Sequence, residues 1–91
     1  MVIRRHYLIS GDVQGVGFRY RAKYAASSLG ITGYVMNRYD GKVEMELQGD
    51  RDSISRMLAQ IDAGTFIHME DIQVKDIPLD ENERAFVVRH Q

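Results

Sequence analysis

A glycine-rich segment lies between an apolar run and a helical pattern, and it could bind an anion. Residues 11–17 read Gly-Asp-Val-Gln-Gly-Val-Gly. Glycine permits backbone torsions that other residues avoid, and a helix N-terminus after such a loop gathers free N–H groups at the positive end of its dipole. Phosphate suits that environment best. The segment matches neither the P-loop nor the dinucleotide fingerprint, so a tightly packed connector remains the alternative.

Arg19 follows this segment, in the first turn of the expected helix. The helix dipole disfavours a cation at this end, so the arginine is poorly placed unless an anion lies beside it. With an anion in the loop, the guanidinium becomes a bidentate partner for that anion. The pattern therefore favours a phosphate site, with a solvated surface arginine as the alternative.

Asn37 is the second polar residue that could take part in chemistry. It stands late in an expected strand, three residues before Asp40-Gly41. Asparagine is disfavoured in strands, and its side chain offers both a donor and an acceptor. Taken alone, the residue is better explained as an exposed asparagine at a strand end than as a catalytic one.

Other common chemistries lack the residues they need. His6, His68 and His90 show no H-x-x-x-H or H-x-H spacing, so no metal site is expected. The serines lack a G-x-S-x-G context, which argues against a hydrolase of that type. The absence of cysteine from the sequence excludes disulfides, thiolate metal sites and a thiol nucleophile.

Length and charge define the broad class. Ninety-one residues suit a single domain, and 12 Lys+Arg against 13 Asp+Glu argue against a dedicated binder of polyanions. No apolar run approaches the roughly 18 residues of a membrane span, and the N-terminus does not resemble a signal peptide. We therefore expect a cytoplasmic protein with no nucleic-acid or membrane partner.

Alternating patterns place these residues on secondary-structure elements. Residues 3–11 predict a strand in which Tyr7 and Ile9 share a face. A helix is predicted from Phe18, with Gly30 as the residue that ends it. Its apolar face comprises Phe18, Ala22, Ala25, Ala26 and Leu29.

The second half of the chain repeats the alternation. Residues 33–39 and 42–48 predict two strands joined by a tight turn at Asp40-Gly41. Asp50 is the expected N-cap of a second helix, whose apolar face comprises Ile54, Met57, Leu58 and Ile61. Further strands are predicted around Ile72, Val74 and Ile77, ended by Pro78, and at Phe86, Val87 and Val88.

The order of these elements is β-α-β-β-α-β. The segment at Phe86, Val87 and Val88 is either part of the fourth strand or a separate fifth strand. Two helices can cover one face of such a sheet. We therefore predict an α+β protein, a ferredoxin-like α/β sandwich with an antiparallel sheet and both helices on one face.

Two sequence motifs together resemble those of the acylphosphatase family. Residues 13–19 match its V-Q-G-V-x-F-R signature without a gap, and residues 33–44 match its G-x-V-x-N…D-G-x-V-E segment. The resemblance covers roughly residues 3–90. It implies a single acylphosphatase-like domain, residues 1–91, that hydrolyses small-molecule acyl phosphates to a carboxylate and inorganic phosphate. It implies no metal and no cofactor, and we expect a monomer.

The resemblance also implies roles for individual residues. Arg19 is expected to bind the phosphate, and Asn37 is expected to hold the attacking water. The backbone N–H groups expected to bind the phosphoryl oxygens are those of Gln14, Gly15, Val16, Gly17 and Phe18. A carboxylate leaving group, whose conjugate acid has a pKa of about 4, needs no general acid. A carboxylate at Asp12 would weaken anion binding if its side chain faced the loop.

Two other functions remain open at this point. A regulatory domain could keep the phosphate site and have lost catalysis, because activity requires Arg19 and Asn37 to be placed within about half an ångström. An RNA-recognition-like domain would share the order of elements, and Gly17-Phe18-Arg19-Tyr20 faintly resembles an aromatic RNA-binding motif. That motif belongs on a central strand, whereas here it is expected at a helix start.

Overall fold

A computed structural model describes residues 1–90. Within these residues, five strands and two helices alternate along the chain. They are β1 (Val2–Asp12), α1 (Phe18–Leu29), β2 (Thr32–Asn37), β3 (Val43–Asp50), α2 (Arg51–Asp62), β4 (His68–Asp76) and β5 (Phe86–His90).

The strands of residues 1–90 form one sheet in the order β4-β1-β3-β2-β5. Strands β1 to β4 pair antiparallel, and β5 pairs parallel with β2. The ferredoxin-like α+β fold is confirmed, but the sheet is mixed rather than wholly antiparallel. The reason is that β4 ends at the end of the sheet where β2 begins, so the chain enters β5 in the direction of β2.

One face of the sheet carries the core, and both helices pack on it and on each other. The predicted alternation is confirmed, since Tyr7 and Ile9 of β1 are buried on this face. The predicted apolar faces of the helices are also confirmed, with Leu29 and Leu58 half-buried and the other members buried. In the part of the chain that the structure describes, neither helix combines the length and apolar character that a membrane span requires.

The predicted helix ends are confirmed. Gly30 ends α1 in the left-handed conformation, with its N–H donating to the Ala26 carbonyl. Asp50 is the N-cap of α2, and its carboxylate accepts a hydrogen bond from the Asp52 N–H at 3.1 Å. The terminal amine of Met1 binds the same carboxylate and is the first cause of its lowered pKa.

The connection between β2 and β3 is wider than the tight turn predicted from Asp40-Gly41. The strands pair as far as Asn37 opposite Val43, so β2 ends two residues earlier than the predicted residue 39. The Arg38 N–H donates to the Lys42 carbonyl, and the Gly41 N–H donates to the Arg38 carbonyl. The Asp40 carboxylate accepts from the Lys42 N–H, and such local side-chain bonds stabilise turns. Asn37 is therefore the last residue of its strand.

The strand predicted around Ile72 and Val74 is present but begins earlier, at His68, and ends at Asp76. It is an edge strand paired only with β1 among residues 1–90. Ile72 and Val74 are 43% and 52% exposed. Ile77 lies just outside the strand, although its N–H still donates to the Arg4 carbonyl.

Candidate active site

The loop of residues 13–17 joins β1 to α1 and is fixed at both ends by buried side chains. Val13 and Phe18 are 1% and 2% exposed. Between them the backbone turns through Gly15 at φ 71° and Gly17 at φ 85°. A Cβ at either glycine would meet no other atom within 4 Å, so the left-handed torsions, rather than crowding, require glycine here.

The backbone N–H groups of this loop are available to a ligand. None of the N–H groups of residues 14–18 donates a hydrogen bond to another atom of residues 1–90. The first backbone bond beyond them runs from the Arg21 N–H to the Gly17 carbonyl at 3.0 Å. Unpaired donors at the positive end of α1 form an environment that stabilises an anion.

Arg19 is a half-buried cation in the first turn of α1. Its guanidinium takes part in none of the ion pairs or hydrogen bonds of residues 1–90, and the first turn of α1 contains no acidic residue. The helix dipole does not stabilise a cation at this position. An anion held by the loop would stabilise it.

Asn37 stands at the end of β2, on the face of the sheet that carries the helices. Its neighbours across the two strand pairings are Val43 on β3 and His90 on β5. The side chain is half-buried, and its Oδ1 atom is fully buried without a hydrogen-bond partner in the described part of the chain. Because buried polar atoms normally have partners, the Asn37 amide keeps unused hydrogen-bonding capacity at the end of β2.

An open cleft of about 390 Å³ brings these groups together. Its lining residues are Val13, Gly17, Phe18, Arg19, Tyr20, Lys23, Asn37, Val88 and His90. The structure thus joins Arg19 and Asn37 with the C-terminal end of the glycine loop. The other predicted loop residues, Gln14 to Val16, do not line the cleft and form the preceding part of the same loop.

Asp12 does not face the cleft. Its side chain is 70% exposed, and its Oδ2 atom lies 3.5 Å from Nδ1 of His68. The position predicted to weaken anion binding is therefore directed at a neighbouring imidazole, and the cleft has no carboxylate in its lining.

Sequence reasoning missed four lining residues: Tyr20, Lys23, Val88 and His90. A signal existed for Lys23, which is one helical turn after Arg19 and on the same side of α1. No local signal pointed to His90, because its place depends on the parallel pairing that sets it opposite Asn37.

Residues 1–90 contain no group of three or more His, Cys, Asp or Glu side chains that could hold a metal ion. Within the cleft, the ionisable side chains are Arg19, Lys23, Tyr20 and His90. The donors of the cleft therefore suit a phosphate or another oxyanion.

Known proteins similar to this chain in both sequence and fold include acylphosphatases. The acylphosphatase family model matches residues 5–88. The chain is 45% identical to the acylphosphatase of Clostridium perfringens over 93% of this chain and 97% of that one, and 41% identical to that of Bifidobacterium longum over 97% and 93%. The crystal structure of acylphosphatase from Bacillus subtilis is similar at a TM-score of 0.85, with 30% identity and 98% and 99% coverage.

Proposed function

The chain belongs to the acylphosphatase family, and from this we propose how its cleft hydrolyses an acyl phosphate to a carboxylate and inorganic phosphate. The enzyme activity follows from the relatives. The proposal concerns which residues carry out the hydrolysis, and it states that the reaction needs no metal ion. The observation that carries it is the shared cleft, whose lining brings the Asn37 side chain and the unpaired Arg19 guanidinium beside the end of the glycine loop.

The loop and Arg19 hold the phosphoryl group of the substrate. The backbone N–H groups of residues 14–18 donate to its oxygens, and the guanidinium adds a bidentate contact. The positive end of α1 favours the same charge. These donors are fixed by the backbone, so little reorganisation is needed when charge moves in the reaction.

The leaving group needs no acid. Phosphoryl transfer proceeds through a loose transition state with charge spread over the equatorial oxygens. As the bond between phosphorus and the acyl oxygen breaks, the electron pair leaves with a carboxylate whose conjugate acid has a pKa of about 4. Fixed hydrogen-bond donors and one guanidinium are sufficient to stabilise that charge distribution.

Asn37 orients the water that attacks phosphorus. A carboxamide does not accept a proton near neutral pH, so Asn37 acts by hydrogen bonding to the water through its side-chain amide. The new bond forms between the water oxygen and phosphorus, and the proton released passes to an oxygen of the phosphate. No metal ion and no titrating side chain enters these steps.

Several expectations stay predictions. They include the action of residues 1–91 as one acylphosphatase-like domain, the cytoplasmic location, the monomeric state and the absence of nucleic-acid and membrane partners. We propose that the substrate is a small-molecule acyl phosphate and that its acyl group lies against the remaining lining residues of the cleft, which are Tyr20, Lys23, Val88 and His90.

The decisive experiment is a turnover assay with benzoyl phosphate in the presence of a metal chelator. We expect hydrolysis at the same rate with and without chelator, with competitive inhibition by inorganic phosphate. Phosphate binding without turnover would instead indicate a regulatory domain. Filter binding of RNA at low salt, together with no hydrolysis, would indicate the RNA-recognition alternative.

A further inference from the structure

The side chain of Gln14 is used inside the protein and not in the cleft. Its Nε2 atom donates to the Arg38 carbonyl at 2.7 Å and to the Lys42 carbonyl at 2.9 Å. A carboxamide nitrogen has two protons, so both are used. The glycine loop is thereby joined to the connection between β2 and β3, 24 and 28 residues further along the chain.

The two carbonyls that Gln14 contacts lie in the turn that follows Asn37, the last residue of β2. Arg38 follows Asn37 directly, and Lys42 precedes Val43, which is the partner of Asn37 across the sheet. Each carbonyl already accepts a bond that closes the turn, from Gly41 and from Arg38 respectively. The turn therefore closes without Gln14. The side-chain amide of Gln14 adds a link between the turn and the glycine loop.

We propose that the Gln14 side chain is a positioning residue that sets the distance between the phosphate loop and Asn37. The inference rests on the proposed function, because it assigns the loop to phosphate and Asn37 to water. Among residues 1–90, it is the one side-chain hydrogen-bond link between residues 13–17 and the turn of residues 38–42. Losing it leaves each half of the site and the pairing of β1 with β3 intact and removes the direct side-chain link between the loop and the turn.

This geometry predicts a split between turnover and phosphate affinity. The proposed phosphate contacts come from the backbone N–H groups of the loop and from Arg19. The Gln14 side chain makes none of these contacts, so its loss should change the affinity for phosphate little. The line of attack needs the water on Asn37 to be aligned with phosphorus, and a misplacement of about 1 Å can cost about a hundredfold in rate. Loss of the link should therefore lower kcat about 10- to 100-fold.

Gln48 offers a matched control. It is also a half-buried carboxamide that exchanges two backbone hydrogen bonds, because its Nε2 atom donates to the Asp80 carbonyl at 2.9 Å and its Oε1 atom accepts from the Asp80 N–H at 2.8 Å. It stands at the far end of β3, away from the cleft. Gln48→Met should lower the melting temperature and leave kcat and KM unchanged.

The test compares Gln14→Met with Gln48→Met, using benzoyl phosphate for kcat and KM and inorganic phosphate for the inhibition constant. Methionine has similar length but cannot donate to the carbonyls. We expect Gln14→Met to reduce kcat about 10- to 100-fold with an inhibition constant within about twofold of the parent. Gln48→Met should retain parental kinetics.

Three results would overturn the positioning role. They are a kcat of Gln14→Met within twofold of the parent, a kcat loss matched by an equal loss of phosphate affinity, and an equal kcat loss in Gln48→Met. Failure of the proposed function is distinct, because it appears in the unmodified protein as absent hydrolysis or in Arg19 and Asn37 variants with parental rates.

Two further measurements apply if Gln14→Met does not fold. Gln14→Asn keeps the amide but is one methylene too short to reach both carbonyls, and we expect the same kcat loss. In the unmodified protein, the Nε2 protons of Gln14 should exchange with solvent more slowly than those of the exposed Gln73. Equal exchange rates would contradict the link.

Discussion

Two arginines of this chain have opposite surroundings. Arg4, on the sheet face away from the helices, is 7% exposed and surrounded by acidic partners. Arg19, at the cleft, has no ion pair within residues 1–90. Both are charges held partly out of water, a situation that costs free energy unless it is compensated. The protein compensates the first charge itself and leaves the second for a ligand.

The surroundings of Arg4 form a network. Its guanidinium binds both carboxylate oxygens of Glu83 at 2.6 and 3.0 Å and one oxygen of Glu46 at 2.9 Å. Next to it, the Tyr34 hydroxyl donates to Glu44, and the Arg89 guanidinium lies 4.1 Å from the centre of the Tyr34 ring. These contacts join β1, β2, β3, β5 and the segment before β5, so the network stabilises the fold.

The difference teaches where to look for function in a small domain. Paired charges fix strands that are far apart in sequence, whereas the unpaired guanidinium of Arg19, the Asn37 side chain and the C-terminal end of the glycine loop lie at one cleft. Function is concentrated where polar groups lack protein partners. Substitutions in the two regions should therefore separate activity from stability.

The largest expected effect comes from Arg19→Lys. A lysine ammonium is a point charge and cannot reproduce the planar fork that binds two oxygens. We expect kcat/KM for benzoyl phosphate to fall about a thousandfold and the affinity for inorganic phosphate to fall with it, at nearly unchanged unfolding free energy. Parental kinetics in this variant would remove Arg19 from the site. Arg4→Lys, the matched control, should keep parental kcat/KM.

Asn37→Ala should have the next largest effect. Without the amide, the water is no longer oriented, but the phosphate contacts remain. We expect kcat to fall about a hundredfold, a loss comparable to removing one fixed donor from a transition state, with an inhibition constant for phosphate within a few-fold of the parent. An equal loss of phosphate affinity would assign Asn37 to phosphate binding instead.

Arg4→Met should have the opposite effect, which is a loss of stability with unchanged activity. The substitution leaves Glu83 and Glu46 half-buried without their partner, and we expect the unfolding free energy to fall by about 2 kcal/mol. Urea unfolding measures this change. Steady-state kinetics well below the melting temperature should remain parental. A large loss of kcat would mean that the two regions are coupled.

The smallest expected effect is the pH dependence of the stability that Glu44 contributes. The Tyr34 hydroxyl first, and then Arg38, hold the pKa of Glu44 below its usual value near 4.5. A carboxyl whose pKa is lower in the folded state contributes stability above its unfolded pKa, and this contribution is lost as pH falls through the folded pKa. The difference in unfolding free energy between the parent and Glu44→Gln should therefore shrink from pH 7 to pH 3. A constant difference would contradict the assignment.

The local parts of the fold could be predicted from the sequence. Helix α1 follows from Phe18 and its apolar repeat and ends at Gly30, and α2 begins after its cap at Asp50. Each of these signals acts within one or two turns, so neighbouring residues determine the result.

The non-local parts could not be predicted. The end of β2 at Asn37 depends on the turn that Arg38 and Asp40 stabilise, and the contact of His90 with the cleft depends on parallel pairing of β5. Burial of Arg4 depends on Glu83, which is 79 residues away. The link from Gln14 to the turn likewise joins residues whose proximity is determined only by the folded sheet.

The route of the chain also has a kinetic consequence. Arg5 pairs with Asp76, and β5 reaches β2 only after residues 77–85 have passed from one edge of the sheet to the other. Contacts between residues so distant in sequence require costly loop closure before they form. Refolding should therefore take roughly milliseconds to seconds, and enzymatic competence should return only when the terminal strand has docked and closed its side of the cleft.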